Sequence, residues 1–154
     1  MTFKKKTNWN EYYKKSSFVA SFTRKITQNY IINYLKKFFS SNETFLIQEM
    51  GGANSCFLKG IIKKYPECKY SILDNSEEGI RVSKKNFSSY ENVVVNNIDL
   101  LKENKIIESD VVISAGLIEH FDIENTALMI KKHFQYTKSE GLVIMTYPTP
   151  TLIY

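Results

Sequence analysis

Two periodicities alternate along the chain. Short, nearly continuous apolar runs are separated by longer stretches in which apolar residues recur every three or four positions. From Ser21 to about Phe39, the residues Phe22, Ile26, Tyr30, Ile31, Tyr34, Leu35 and Phe38 keep helical spacing, which predicts an amphipathic helix with a wide apolar face. Ser40-Ser41-Asn42 is a fitting end to it. Phe45-Leu46-Ile47 then leads through Gln48 to Glu49 as a first strand. Gly51-Gly52-Ala53-Asn54-Ser55 reads as a tight turn. Phe57, Leu58, Ile61 and Ile62 mark a helix of about ten residues, beginning near Cys56 and stopping before Pro66. Residues 69–74 form a second strand ending in Asp74. Asn75 or Ser76 can cap the next helix, Glu77 and Glu78 in its first turn suit the dipole, and Ile80, Lys84 and Phe87 carry it to about Ser89. Val93-Val94-Val95 is a third strand running out into Asn96-Asn97-Ile98-Asp99. Asp110 to Gly116 is a fourth. A helix from roughly Ile123 to Tyr136 is expected to place Ile123, Ala127, Ile130 and Phe134 on one face. Gly141 to Tyr147 is the fifth strand, ended by Pro148 and Pro150.

Strand and helix therefore alternate five times, and the strands are apolar along most of their length. That combination calls for an α/β fold: a doubly wound, mostly parallel sheet buried on both faces with right-handed crossovers. Ligands in such sheets bind at the carboxyl ends of the strands, near the switch in strand order. Glu49, Asp74, Asp99 and Ser114 all fall on those ends. The expected organisation is one domain, with an N-terminal aromatic and basic arm and helix over 1–40 and the sheet-bearing core over 41–154.

Composition narrows the function classes. The chain has 154 residues, 43% hydrophobic, enough for a sizeable core. Its net charge of +5 invites a nucleic-acid partner, but the 21 basic residues include only two arginines, Arg24 and Arg81. The lysines are scattered in pairs such as Lys36-Lys37, Lys63-Lys64 and Lys131-Lys132, the signature of solvated helix faces rather than of a binding stripe. Cys56 and Cys68 are the only cysteines, with neither metal spacing nor a disulfide framework, so a reducing, cytoplasmic setting is expected. No stretch has the length of a signal peptide's apolar run or of a membrane span.

The chemistry concentrates at Glu49-Met50-Gly51-Gly52-Ala53-Asn54-Ser55. Small residues there let backbone N–H groups approach a ligand closely, and the following helix N-terminus favours negative charge. An ordinary strand-to-helix turn would use the same residues. Its neighbours decide the reading, because Asp74, Asp99 and the segment from Ser114 onward converge on the same edge.

With those residues in place, the chain resembles the class I S-adenosylmethionine-dependent methyltransferases over residues 45–147. The family's first motif, an acid followed by Gly-x-Gly-x-Gly, is matched by Glu49, Gly51, Ala53 and Ser55, with Gly52 between. Two glycines of the pattern are thus Ala53 and Ser55, and a positive φ at either would be costly. The resemblance implies that Glu49, Gly51, Gly52 and Ala53 form the floor of a site for S-adenosyl-L-methionine. It implies that Asp74, with Asn75, takes the ribose hydroxyls, for which a carboxylate is a natural bidentate acceptor. Ile98, Asp99 and Leu100 would flank adenine, Asp99 accepting from its exocyclic amine. Asp110 to Phe121 matches the family's fourth motif, which commonly continues into the sequence Ile118-Glu119-His120, and it would bring Ser114 and Ala115 to the cofactor. A dinucleotide-binding domain would explain the glycines and Asp74, but its Gly-x-Gly-x-x-Gly is absent.

His120 is the candidate catalytic residue, since imidazole titrates near neutrality and suits proton removal from an acceptor hydroxyl; lining the pocket is the alternative. His133, beside Lys131 and Lys132, reads as structural. Arg24 would meet the cofactor's carboxylate through its guanidinium fork, or else form an exposed ion pair. Trp9, Tyr12 and Tyr13 are candidates to close over the sulfonium. Glu119 and His120 are too few ligands for a metal site. The expected function is methyl transfer to a small-molecule or glycan-precursor acceptor at a hydroxyl; the alternative is a module that binds cofactor without turnover. The resemblance implies a further helix and hairpin beyond the fifth strand, so the sequence is expected to be a C-terminally truncated fragment, or else to have its unfinished sheet edge completed by strands of a second copy.

Overall fold

A computed structural model describes residues 18–147. The candidates Trp9, Tyr12 and Tyr13 lie outside the described residues. The elements run α1 (Phe18–Leu35), β1 (Leu46–Met50), α2 (Leu58–Lys64), β2 (Lys69–Asp74), α3 (Glu77–Phe87), β3 (Val93–Asn97), β4 (Ser109–Ala115), a 3-10 turn (Ile118–His120), α4 (Ile123–Gln135) and β5 (Thr137–Thr146). All five strands pair in parallel in the order β3-β2-β1-β4-β5. The order reverses at β1, between β2 and β4, which is where an open parallel sheet forms its ligand crevice. Among the described residues, no strand lies beyond β5 on its outer edge.

The register sorts the side chains between two faces. Ile47 and Glu49 of β1 lie level with Tyr70 and Ile72 of β2 and with Val111 and Ile113 of β4. This face packs against α1 and α2 through Ile31, Leu35, Leu58, Ile61 and Ile62, all buried. On the opposite face Met50, Leu73 and Val112 meet Met129 of α4 and Tyr136 just past its end. Asp110 stitches the base of the sheet: its carboxylate accepts from the Leu46 amide at 2.8 Å and pairs with the Lys138 ammonium at 2.7 Å.

Both long helices depart from the sequence expectation in the same way. Among the described side chains, α1 buries Ile31 and Leu35 in the core with Ile32 packed partly buried beside them, while Tyr30, Tyr34 and, just past the helix, Phe38 are more than half exposed. The contact is kept close by Gly60 of α2, because a Cβ there would sit 2.3 Å from the Gln28 amide. In α4 the expected stripe is turned outward: Ile123 is 89% exposed and Phe134 60%. The buried face is instead Met129, Lys132 and His133, continued by Tyr136. Two of these are polar, and each meets a partner inside. Lys132 donates to the Glu103 carbonyl, and His133 bonds the Met129 carbonyl and the Ser114 hydroxyl. A buried polar group that is hydrogen-bonded loses little on leaving water, so hydrophobicity alone could not select this face.

Smaller differences concern element length. α2 spans seven residues and starts at Leu58. β5 begins earlier than expected, at Thr137, and reaches its regular pairing through an irregularity between Ser109 and Val111, with Glu140 at φ 66°.

Candidate functional site

The site is assembled at the carboxyl ends of β1, β2 and β4. Beyond β1 the chain turns at Gly51, whose φ is +65°, and again at Asn54, φ 52°. These are the left-handed positions of the turn, and glycine and asparagine are the residues that occupy that region most cheaply. Ala53 and Ser55, which stand where the resemblance has glycines, have no positive φ and so carry no such strain. Gly52 has a different reason for lacking a side chain: a Cβ would meet Cγ of Glu49 at 2.6 Å. Gly51 likewise lies against Leu117, 2.6 Å from where its Cβ would be. The turn is therefore pressed low against the strand ends, with Glu49 folded beneath it.

Three bonds fix the turn. The Gly51 amide donates to the Leu73 carbonyl at 2.8 Å, the Ala53 amide to Oδ2 of Asp74 at 3.1 Å, and the Asn54 amide to Oγ of the buried Ser83 in α3 at 2.6 Å. Asp74, 7% exposed, accepts the Ser76 amide on Oδ1 at 2.8 Å. It thereby joins the first turn to the start of α3, which Ser76 caps by accepting from Gly79. A carboxylate oxygen accepts more than one hydrogen bond, so these contacts orient Asp74 without precluding a diol at its outer side. Ser55 steadies the approach to α2, its Oγ accepting the Phe57 and Leu58 amides at 3.2 and 3.1 Å.

Glu49 is 3% exposed. Burial pushes its carboxyl up to about 7, opposed by hydrogen bonds from the Ser55 and Tyr70 hydroxyls and reinforced by the nearby Asp74 carboxylate. Tyr70 donates its hydroxyl to Oε2 of Glu49 at 2.7 Å. Burial, followed by the adjoining Glu49 charge, holds the phenol well above its ordinary value, so it remains a donor. Arg24 of α1 and Cys56 lie in the same electrostatic neighbourhood: both Glu49 and Arg24 act on the Cys56 thiol.

The other sequence candidates divide. Ile98 joins the site through its backbone, donating to the Asp74 carbonyl at 2.7 Å, and Leu100 is buried against Leu73 and Leu117. Asn75 is exposed beside Asp74. Asp99 heads a turn, accepting the Leu101 amide at 3.2 Å and pairing with Lys102 at 3.0 Å. Ser114 and Ala115 end β4 on opposite faces. Ala115 lies on the Glu49 face, whereas the Ser114 hydroxyl is committed to Nε2 of His133, 2.8 Å away on the α4 side. His133 Nδ1 faces the Met129 carbonyl, which can only accept. The ring therefore carries its proton on Nδ1, and Ser114 donates to Nε2. Burial lowers the His133 pKa, in keeping with a neutral ring.

His120 lies in the 3-10 turn after β4, half-buried, with Nε2 3.9 Å from Oε1 of Glu119. The turn is launched by Gly116, φ +67°, whose amide donates to the Thr146 carbonyl. Among the described residues, no three His, Cys, Asp or Glu side chains converge as a metal site would require. No helix among them is long and apolar enough to cross a membrane. Sequence reasoning missed Tyr70, which looks like any strand aromatic; only its same-face register with Glu49 marks it.

The low turn, the acid at the end of β2, and Ile98 and Leu100 beyond β3 thus stand together beside the switch in strand order. A family model described as an O-methyltransferase domain matches residues 2–147. No curated protein sequence matches the chain. Coclaurine N-methyltransferase bound to N-methylheliamine and S-adenosylhomocysteine is similar in structure, with a TM-score of 0.67 and 15% identity over 79% of this chain and 35% of that one. The N-methyltransferase NodS from Bradyrhizobium japonicum WM9, in complex with S-adenosylhomocysteine, gives 0.66 and 14% over 78% of this chain and 60% of its own. Human N-acetylserotonin methyltransferase in complex with S-adenosylmethionine gives 0.56 and 22% over 65% and 29%. At these identities the likeness is one of fold. The chain spans from about a third to under two thirds of these structures' lengths.

Proposed function

The chain belongs to the O-methyltransferase domain family, and from that premise we propose that it binds S-adenosyl-L-methionine and takes part in methyl transfer to a hydroxyl of a small-molecule or glycan-precursor acceptor. The observation that carries the reading is the bond from the Ala53 amide to Asp74. It unites the small-residue turn and the strand-end acid into one cradle at the switch point of the sheet.

In this reading Asp74 accepts from the ribose hydroxyls, and Ile98 and Leu100 pack on the adenine faces. Asp99, already oriented by the Leu101 amide, accepts from the exocyclic amine. Arg24 faces the amino-acid carboxylate, and Glu49 supplies negative charge beneath the amino-acid end. When bound, the cofactor supplies an electrophilic methyl on a sulfonium, which becomes a neutral thioether as the methyl leaves. The chain's own contribution is alignment and exclusion of water. His120, in the turn after β4, is the candidate base in this reading: its imidazole would receive the hydroxyl proton as the new oxygen–carbon bond forms.

Calorimetry with S-adenosylmethionine and S-adenosylhomocysteine, paired with a methyl-release assay over hydroxyl and amine acceptors, tests this. Binding that is lost in Asp74→Ala, with turnover on hydroxyl acceptors, is the expected result. Turnover on amines alone would overturn the acceptor class. Binding without turnover would indicate a cofactor-binding module, and no binding would refute the cofactor itself.

A further inference from the structure

Tyr70 spends its hydroxyl in an unusual place. The ring is 1% exposed and sits in the core between sheet and helices, where phenylalanine would fill nearly the same volume. Its register partner is Ile47, one same-face position before Glu49, so the side chain leans along the strand toward the carboxyl edge and ends on Oε2 of Glu49. The Ser55 hydroxyl acts on the same carboxylate. The Ser55 oxygen already accepts two backbone amides, so its own proton is the part left to donate. The buried Tyr70 hydroxyl, the half-buried Ser55 hydroxyl and the buried carboxylate form one cluster, with Gly52 packed against Glu49. Isolated burial of a carboxylate is expensive, and two donors aimed at it are what lower that cost.

We propose that Tyr70 and Ser55 are positioning residues for cofactor binding, holding the Glu49 carboxylate as an anion beneath the Gly51–Gly52 turn so that its charge state gates affinity for a ligand bearing an α-ammonium. The inference rests on the cofactor reading above. It also accounts for a serine where the family pattern has glycine: a glycine at 55 would supply neither the donor to Glu49 nor the acceptor for the Phe57 and Leu58 amides.

The groups that act on Glu49 are Tyr70 and Asp74 from β2 and Ser55 from the turn; the Cys56 thiol next to Ser55 senses both Glu49 and Arg24 of α1, and β4 presents the apolar Ile113 at the matching level. Asp74 opposes ionisation of Glu49 while the two hydroxyls favour it. The carboxyl, pushed up to about 7, is thus set where small changes in its donors alter its charge at neutral pH.

The test is the affinity for S-adenosylhomocysteine, which keeps the ammonium, measured calorimetrically from pH 6 to 8.5 for the wild type, Tyr70→Phe and Ser55→Ala. Wild-type affinity should rise with pH and level off above a midpoint near 7. In Tyr70→Phe the midpoint should move up by roughly one pH unit, giving about fivefold weaker binding at pH 7 and convergence with the wild type at the alkaline end. Ser55→Ala should move it in the same direction. Uniform weakening with an unmoved midpoint would overturn the proposal, leaving Tyr70 a packing residue. The carboxyl carbon resonance of Glu49, assigned with Glu49→Gln, gives an independent readout in the ligand-free chain; its midpoint must shift upward in either variant, and an unchanged midpoint sinks the idea. Failure of the wild type to bind at any pH would instead defeat the cofactor reading and the gate together.

Discussion

Glu49→Gln should stabilise the protein, and only on the alkaline side. The carboxyl moves from its ordinary 4.5 to about 7 on folding, chiefly through burial. The folded state therefore holds the Glu49 proton more tightly than the unfolded chain between those two values. The sign follows from linkage: stability contributed by this group is greatest below about 4.5, falls as pH rises through the window, and is fully lost above about 7. At about 1.4 kcal/mol per pH unit, the cost of carrying the anion at pH 8 is about 3 kcal/mol. Glutamine keeps the shape, lets Tyr70 go on donating to its amide oxygen, and has no charge to bury. The variant should gain roughly 6–12 °C in melting temperature at pH 8 for a domain of this size, and far less at pH 5. Differential scanning calorimetry of both proteins at the two pH values measures this. An identical difference at pH 5 and pH 8, whatever its size, would refute the reasoning, because a charge-independent packing effect has no such dependence. The same variant should bind S-adenosylhomocysteine more weakly at pH 8, so that stability and binding change in opposite directions, as they do where a functional group is kept at a structural cost.

Other outcomes follow from single contacts. Gly52→Ala places a methyl 2.6 Å from Cγ of Glu49; overpacking of this kind costs about 1–3 kcal/mol, and thermal melting with cofactor titration should show both lower stability and impaired binding. His133→Gln should remove a pH dependence. Burial lowers the ring's pKa in the folded state, so wild-type stability on this account is intact above the unfolded value near 6.5 and declines as pH falls below it; a variant melting curve that still tracks this decline would exclude His133 as its source. Lys132→Met keeps the buried stem but loses the bond to the Glu103 carbonyl, so amide exchange across residues 101–107 should accelerate while that of β1 and β2 is unchanged.

Much of the fold was legible because its signals are local. Strand runs, the Pro66 stop and the Ser76 cap each rest on a few adjacent residues, and five apolar strands alternating with helices leave few alternatives to a parallel sheet. The acids at the strand ends were legible for the same reason: a strand-end carboxylate interrupts an apolar run. What could not be read was which helix face meets the sheet. The stripe Ile123, Ala127, Ile130 and Phe134 is the more apolar one in α4, yet the buried stripe holds Lys132 and His133, because the Glu103 carbonyl and the Ser114 hydroxyl wait beneath it. Those partners come from distant parts of the chain, so no window of sequence contains the reason.

The sequence by itself determined the order of strands and helices, the residues able to make a tight turn after β1, and the presence of Glu49, Asp74 and Asp99 at strand ends. The tertiary structure decided how those residues act. It put the left-handed turn positions on Gly51 and Asn54 rather than on Ala53 or Ser55, turned the Ser114 hydroxyl toward His133, and brought Tyr70 and Ser55 onto Glu49. The physical reason is that backbone propensity and hydropathy belong to single residues and their neighbours, whereas desolvation and hydrogen-bond partnership exist only between groups that strand register and helix packing bring together.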